Sequence, residues 1–188
     1  MFPGAAERIR IFYACFVRQF IVWAQAHMLA RREGIQQRME SRDIHVAPDR
    51  FEITRGEALL ITELHSALAV CVYDAAEEAG ALLHLRCILR TSKPADVTDT
   101  TLATELLLLD RCLEALRAAA PAARHLQARI VVHLADAAQA RPACETVLAL
   151  VKHYLEDAGV ALLPEDIASG PARTLRFRPS MGWVHTRT

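Results

Sequence analysis

The stretch Leu60-Ile61-Thr62-Glu63-Leu64-His65-Ser66-Ala67-Leu68-Ala69-Val70-Cys71-Val72-Tyr73-Asp74, followed by Gly80-Ala81-Leu82-Leu83-His84, decides how this chain is read. Leu59 to Thr62 and Leu68 to Tyr73 are apolar and rich in β-branched residues, so they predict strands buried in a sheet. Between them, Glu63 to Ala67 is expected to turn. Ala75 to Gly80 is a second turn of small and polar residues, with Asp74 as its cap. Ala81 to Leu89 is expected to form the next strand and to carry His84.

Outward from this block, the elements alternate. Ile44, Val46, Phe51 and Ile53 form short strand material around Pro48. Thr91 to Thr101 reads as a loop ending in N-cap candidates. Leu102 to Ala120 is a helix, with Leu102, Leu106, Leu109, Leu113 and Leu116 on one face and Pro121 as its stop. Arg129 to Leu134 predicts a strand. Cys144 to Ala158 predicts a second helix, with Val147, Leu148, Val151, Tyr154 and Leu155 inward and Gly159 as its C-terminal signal. Arg173 to Arg178 alternates, with Leu175 and Phe177 on one side, and Pro179-Ser180-Met181-Gly182 turns it into Trp183 to Thr186 as a terminal hairpin. Short strands mixed with two helices give an α+β or layered α/β class.

Residues 1–41 differ in character. Ile9, Phe12, Phe16, Phe20 and Trp23 recur at spacings of three and four, the stripe of an amphipathic helix, with Gly34 as a break. The expectation is an N-terminal helical arm over 1–41 and one domain over 42–188. Arg18, Gln19, Gln25 and His27 interrupt the apolar run, so a membrane span is not expected, and membrane contact is indirect or through the arm.

With 22 basic and 22 acidic residues in 188, the chain has no net field to attract nucleic acid. Its five cysteines, Cys15, Cys71, Cys87, Cys112 and Cys144, are odd in number, widely spaced and mostly inside apolar runs. That pattern reads as reduced, buried thiols in a cytoplasmic protein. No cysteine pair has the close spacing expected of a zinc site, a His84-x-x-Cys87 pair alone is weak evidence for metal, and no cofactor is implied.

The opening block resembles the signature of the CheD family, the chemoreceptor glutamine deamidases of bacterial chemotaxis. There a Thr-x-Leu-Gly-Ser-Cys run enters a Val-Ala-Val-Cys-Leu-Tyr-Asp strand, and Gly-Gly-Met-x-His follows. Thr62, Leu64, Ser66, the Val70–Asp74 strand and His84 fit that pattern. So do Leu155-Glu156-Asp157-Ala158-Gly159-Val160, Glu165-Asp166 and the closing hairpin around Gly182. The resemblance implies a CheD-like sandwich of β-sheets with two main helices packed on one side. It implies His84 as general base and Thr62 as the family's hydroxyl position. It also implies chemoreceptor cytoplasmic helices, and a CheC-type phosphatase, as partners.

Deamidation by this route needs a thiolate that attacks a glutamine carboxamide, releases ammonia and leaves a thioester for water to hydrolyse. The nucleophile's position is held by Ala67, whose methyl group cannot form that intermediate. His65 replaces the family's glycine and is expected to crowd its turn. The family's Gly-Gly loop falls at Val132 and His133, and its Gly- and Asn-rich loop is reduced to Ala168-Ser169-Gly170-Pro171. The expected function is that of a catalytically degenerate CheD-like protein acting by binding, with His65 and Ser66 as candidate binding residues. Two alternatives stand beside it: an active deamidase with an unusual nucleophile, and a structural component of a chemosensory array. His65 and His133 read as surface or partly buried residues, the alternative being a polar cluster with His84.

Overall fold

The computed structural model describes residues 43–87, 100–135 and 137–187. The arm expected over 1–41, Cys15 and most of the Thr91–Thr101 loop lie outside the described residues. The elements run β1 (Asp43–His45), β2 (Arg50–Arg55), β3 (Leu59–Leu64), β4 (Ala67–Asp74), β5 (Ala79–Arg86) and α1 (Thr100–Ala119). They continue with β6 (Gln127–Leu134), α2 (Ala137–Asp157), β7 (Ala161–Leu162), β8 (Asp166–Ser169), β9 (Arg173–Arg178) and β10 (Trp183–Arg187).

These strands form two mixed sheets. One is four-stranded in the order β1-β3-β9-β10; the other runs β2-β5-β4-β6, with β7 and β8 both paired to the outer side of β6. The β1–β3, β6–β7 and β6–β8 pairs are parallel and the remaining pairs antiparallel. The fold is therefore a layered α+β arrangement, as the alternation of elements predicts.

β4 organises the layers because every one of its residues is buried. Leu68, Val70 and Val72 face a core shared with Leu109, Leu113 and Leu116 of α1 and with Val147, Val151 and Leu155 of α2. Ala67, Ala69, Cys71 and Tyr73 face a second core shared with Leu60, Leu64, Leu175 and Phe177 of the four-stranded sheet. Period-two alternation thus sends one strand's side chains into two different interiors. At about 25 cal/mol per Å², these two apolar contacts supply the main drive to assemble the layers.

Local signals explain where elements stop. Gly159 takes φ +74°, and Val160 N–H donates to Leu155 O at 2.9 Å while Gly159 N–H donates to Glu156 O at 3.0 Å. That is the glycine-closed helix end expected from sequence. The helix itself begins earlier than expected, at Ala137 rather than Cys144, and runs through Pro142. At the closing hairpin, a short 3-10 turn (Pro179–Met181) leads to Gly182 at φ +59°, and a Cβ there would meet the Tyr73 ring at 2.4 Å. Tyr73 in turn meets Phe177 edge-on, with centroids 5.9 Å apart.

Two expectations need correction. Glu63–Ala67 is not one turn: β3 continues to Leu64 and β4 begins at Ala67, so only His65 and Ser66 connect the sheets. The cysteines are not all reduced, because Cys87 and Cys144 are joined in a disulfide with Cα atoms 5.0 Å apart. A sequence separation of 57 hides this pairing in the sequence, whereas the fold sets the end of β5 against the inner face of α2. Cys71 and Cys112 are free and buried, and burial pushes the Cys112 thiol up to about 12.

Asp74 carries the cap expected of it and more. One carboxylate oxygen accepts the N–H groups of Ala76 and Glu77, and the other accepts those of Arg124 and His125 ahead of β6. The His125 bond leads the causes holding this carboxyl below the usual 3.8. Asp74→Ala is expected to destabilise the protein by about 1.5–3 kcal/mol, the range for hydrogen bonds to a charged group, read by urea unfolding at pH 7. The stabilisation is present above the unfolded value and is lost as pH falls through the lowered folded value, so the deficit of Asp74→Ala shrinks in acid. Gly182→Ala, which places a methyl group on the Tyr73 ring at a left-handed position, is expected to cost roughly 1–3 kcal/mol in the same assay.

Candidate functional site

The chain crosses from the four-stranded to the six-stranded sheet at His65–Ser66, and the candidate site lies at that corner. His84 sits on β5 opposite Ala69 of β4 and Arg50 of β2. Its alternation puts it on the face that looks toward the four-stranded sheet, with Leu82. From that sheet, Thr62 of β3 reaches back, and its hydroxyl lies 2.7 Å from His84 Nδ1. Both residues are buried.

The proton positions follow from the partners. Thr62 Oγ1 donates its single hydrogen to the Val46 carbonyl at 2.8 Å. It can therefore only accept from His84, which places the imidazole proton on Nδ1 and leaves Nε2 as the basic nitrogen. Burial is the largest influence on this ring and holds it below 6.5; the Asp49 charge opposes that shift, while Arg86 and His65 add to it. At neutral pH His84 is an uncharged ring with a free lone pair.

A pocket of about 270 Å³ opens beside it, lined by Pro48, Glu63, His65, Ser66, Ala67, His84 and Arg86. Ala67 is directly opposite Arg86 on β5 and two residues from the partner of His84, so its methyl group shares the face of the imidazole. This diagonal relation puts the two side chains within reach of each other across β4 and β5. The structure thus brings together all five expected residues, Thr62, His65, Ser66, Ala67 and His84.

Their individual roles differ from expectation in part. Ser66 Oγ accepts the Ala135 N–H at 3.3 Å, so its hydroxyl anchors the neighbouring chain as well as lining the pocket. His65 is exposed and lies 3.9 Å from Glu63. Among the described residues, left-handed backbone outside glycine occurs at Asp49 and Glu78 alone, so the turn makes room for the His65 side chain without strain. His133 is fully buried rather than at the surface, because Val132 and His133 belong to β6 and not to a loop. It stands directly opposite Ala67, and its Nε2 lies 3.2 Å from the Gly170 carbonyl oxygen. Its Nδ1 is buried with no hydrogen-bond partner.

Asp49 and Arg86 were not indicated as a pair by the sequence. Arg86 Nε donates to Asp49 Oδ2 at 2.6 Å, its Nη2 makes a second contact to the same oxygen, and its backbone N–H donates to Oδ1 at 3.2 Å. Burial works to raise the Asp49 carboxyl, but these bonds and the Arg86 charge outweigh it and hold the group low. A readable signal existed for Arg86, which follows His84 at the strand period of two. None existed for Asp49, which is 37 residues away. No group of three or more potential metal ligands occurs among the described residues.

No family model and no curated protein matches the chain. Among solved structures it is similar to a Neisseria meningitidis protein of the DUF152 family, with a TM-score of 0.41 and 15% identity over 74% of this chain and 67% of that one.

Thr62→Val, which leaves the His84 Nδ1–H and the Val46 carbonyl without their buried partner, is expected to destabilise by about 1–3 kcal/mol. Because His84 is held below 6.5 when folded, the unfolded chain takes up the proton first as pH falls. Stability from this group therefore declines as pH drops below 6.5, and His84→Gln should flatten the urea midpoint across that window. An unchanged slope in the variant would show that His84 does not set it.

Proposed function

We propose that this protein is a CheD-like protein without deamidase chemistry, one that acts by binding chemoreceptor cytoplasmic helices or a CheC-type partner. The layering, with both helices against one face of the six-stranded sheet, fits the CheD-like sandwich that the sequence pattern implies. The observation that carries the reading is the Thr62–His84 pair: a base is held in a defined tautomer and opens on a pocket, yet the group beside it is the Ala67 methyl.

The other candidate nucleophiles are poorly placed to replace a thiol at position 67. Cys71 shares the right face but is fully buried, and that burial pushes its thiol far above the ordinary value, so no useful thiolate forms. Cys87 faces the helices and is tied to Cys144. The Ser66 hydroxyl is bonded to Ala135 N–H and has no base on it. Loss of a nucleophile typically lowers turnover by roughly 10⁴- to 10⁶-fold, which puts the unaltered protein at background.

In a receptor ammonia-release assay, the unaltered protein is expected to give no signal above buffer. Co-purification with receptor cytoplasmic fragments is expected to persist in His84→Ala, because binding on this reading needs the scaffold and not the base. Ala67→Cys places a thiol diagonal to His84 and is expected to gain measurable release that His84→Ala then abolishes. Release by the unaltered protein that disappears in His84→Ala would establish the active-enzyme alternative instead. Absence of association with both receptor and CheC-type partner removes the basis of the binding role.

A further inference from the structure

The pocket wall has a covalent support outside the Thr62–His84 pair. β5 carries His84 and Arg86, pairs with β4 through Ala67–Arg86, and ends there. The next residue, Cys87, donates its N–H to Ser66 O at 3.0 Å, so it holds the corner turn as well as the strand end. Its side chain turns to the opposite face and is joined to Cys144 on α2. Four residues that line the pocket, Ser66, Ala67, His84 and Arg86, are thus in or next to the segment that this one bond ties to the helix layer.

We propose that Cys87–Cys144 is a thiol–disulfide exchange site whose redox state sets how firmly the wall of the His84 pocket is held. This regulation rests on the pocket being the working site. The co-reactant is a dithiol. One of its thiolates attacks the sulfur of Cys87, the more exposed partner at 5% against 2%, forming a mixed disulfide and releasing Cys144 as a thiolate that takes a proton. The second thiol of the dithiol closes on the mixed disulfide and releases Cys87, which is protonated in turn. The dithiol loses two electrons and the protein gains them.

Position makes this exchange local. Cys87 lies just past the last paired residue of β5, so opening a single strand end uncovers its sulfur while the centre of the sheet stays closed. In the oxidised form, the end of β5 cannot separate from α2. In the reduced form it is retained by the Ser66 hydrogen bond, the Asp49–Arg86 pair and packing.

The test uses the full chain without receptor, so its outcome is independent of whether receptor binding is found. Denatured, unreduced protein is treated with iodoacetamide and weighed. Peptide mapping is expected to find Cys71 and Cys112 blocked and Cys87 and Cys144 unblocked, and blocking of all four would overturn the proposal. Amide hydrogen exchange is then followed before and after dithiothreitol, and in a Cys87→Ala/Cys144→Ala variant. Exchange at Arg86 and at residue 87 is expected to quicken at least tenfold in both, with Val72 and Leu83 at the sheet centre unchanged. Equal exchange in the two redox states overturns the proposal. So does an equal acceleration at Val72 and Leu83, which would make the bond a general staple. Reduction of the unaltered chain supplies the answer if the double variant fails to fold.

Discussion

Complete burial of β4 on both faces is the constraint from which the rest of the architecture follows. A strand with eight buried residues has no side that can face water, so a layer must cover each face. The helices cover one, through Leu109, Leu113, Val147 and Leu155, and the four-stranded sheet covers the other, through Leu60, Leu175 and Phe177. The two-residue link His65–Ser66 is short because β3 and β4 belong to different sheets that must remain in contact. The candidate pocket lies at that crossing, with Ser66 of the link and Ala67 of β4 in its lining.

Polar groups at such a junction must be satisfied internally, and the way this is done defines the chemistry. Thr62 serves two partners with one hydroxyl, giving its hydrogen to Val46 and its lone pair to His84. The arrangement fixes the imidazole more firmly than packing alone, because rotating the ring would orphan a buried donor. Outside it, the Asp49–Arg86 pair neutralises two charges at the pocket rim. The site therefore combines an uncharged, oriented base with one neutralised ion pair and the Glu63 carboxylate in its lining.

How much of this was legible depended on the range of the interactions. The strand segments Leu59–Thr62 and Leu68–Tyr73, the first helix, the second from Cys144 onward and the closing hairpin are written in local periodicity, and Gly159 and Gly182 mark the helix end and the hairpin turn as expected. The Thr62, Ala67 and His84 grouping was legible through the order of residues in a family pattern. What remained hidden was set by contacts between distant segments. The Cys87–Cys144 bond joins a strand end to a helix face, Asp49 meets Arg86 across an otherwise silent loop, and His133 is buried because β8 pairs along β6. Periodicity carries no information about such partners, and an odd cysteine count points away from the Cys87–Cys144 pair.

The location of Ala67 has a consequence for how this protein can change over generations. It is a paired strand residue whose buried side chain belongs to the second core and lines the pocket, and not part of a strained loop shaped around a particular group. Exchanging one small side chain for another there leaves both hydrogen-bond ladders and the helix-side core as they are. A small side chain bearing a reactive atom can therefore stand there without redrawing the backbone. The scaffold therefore commits position 67 neither to a methyl group nor to a reactive one.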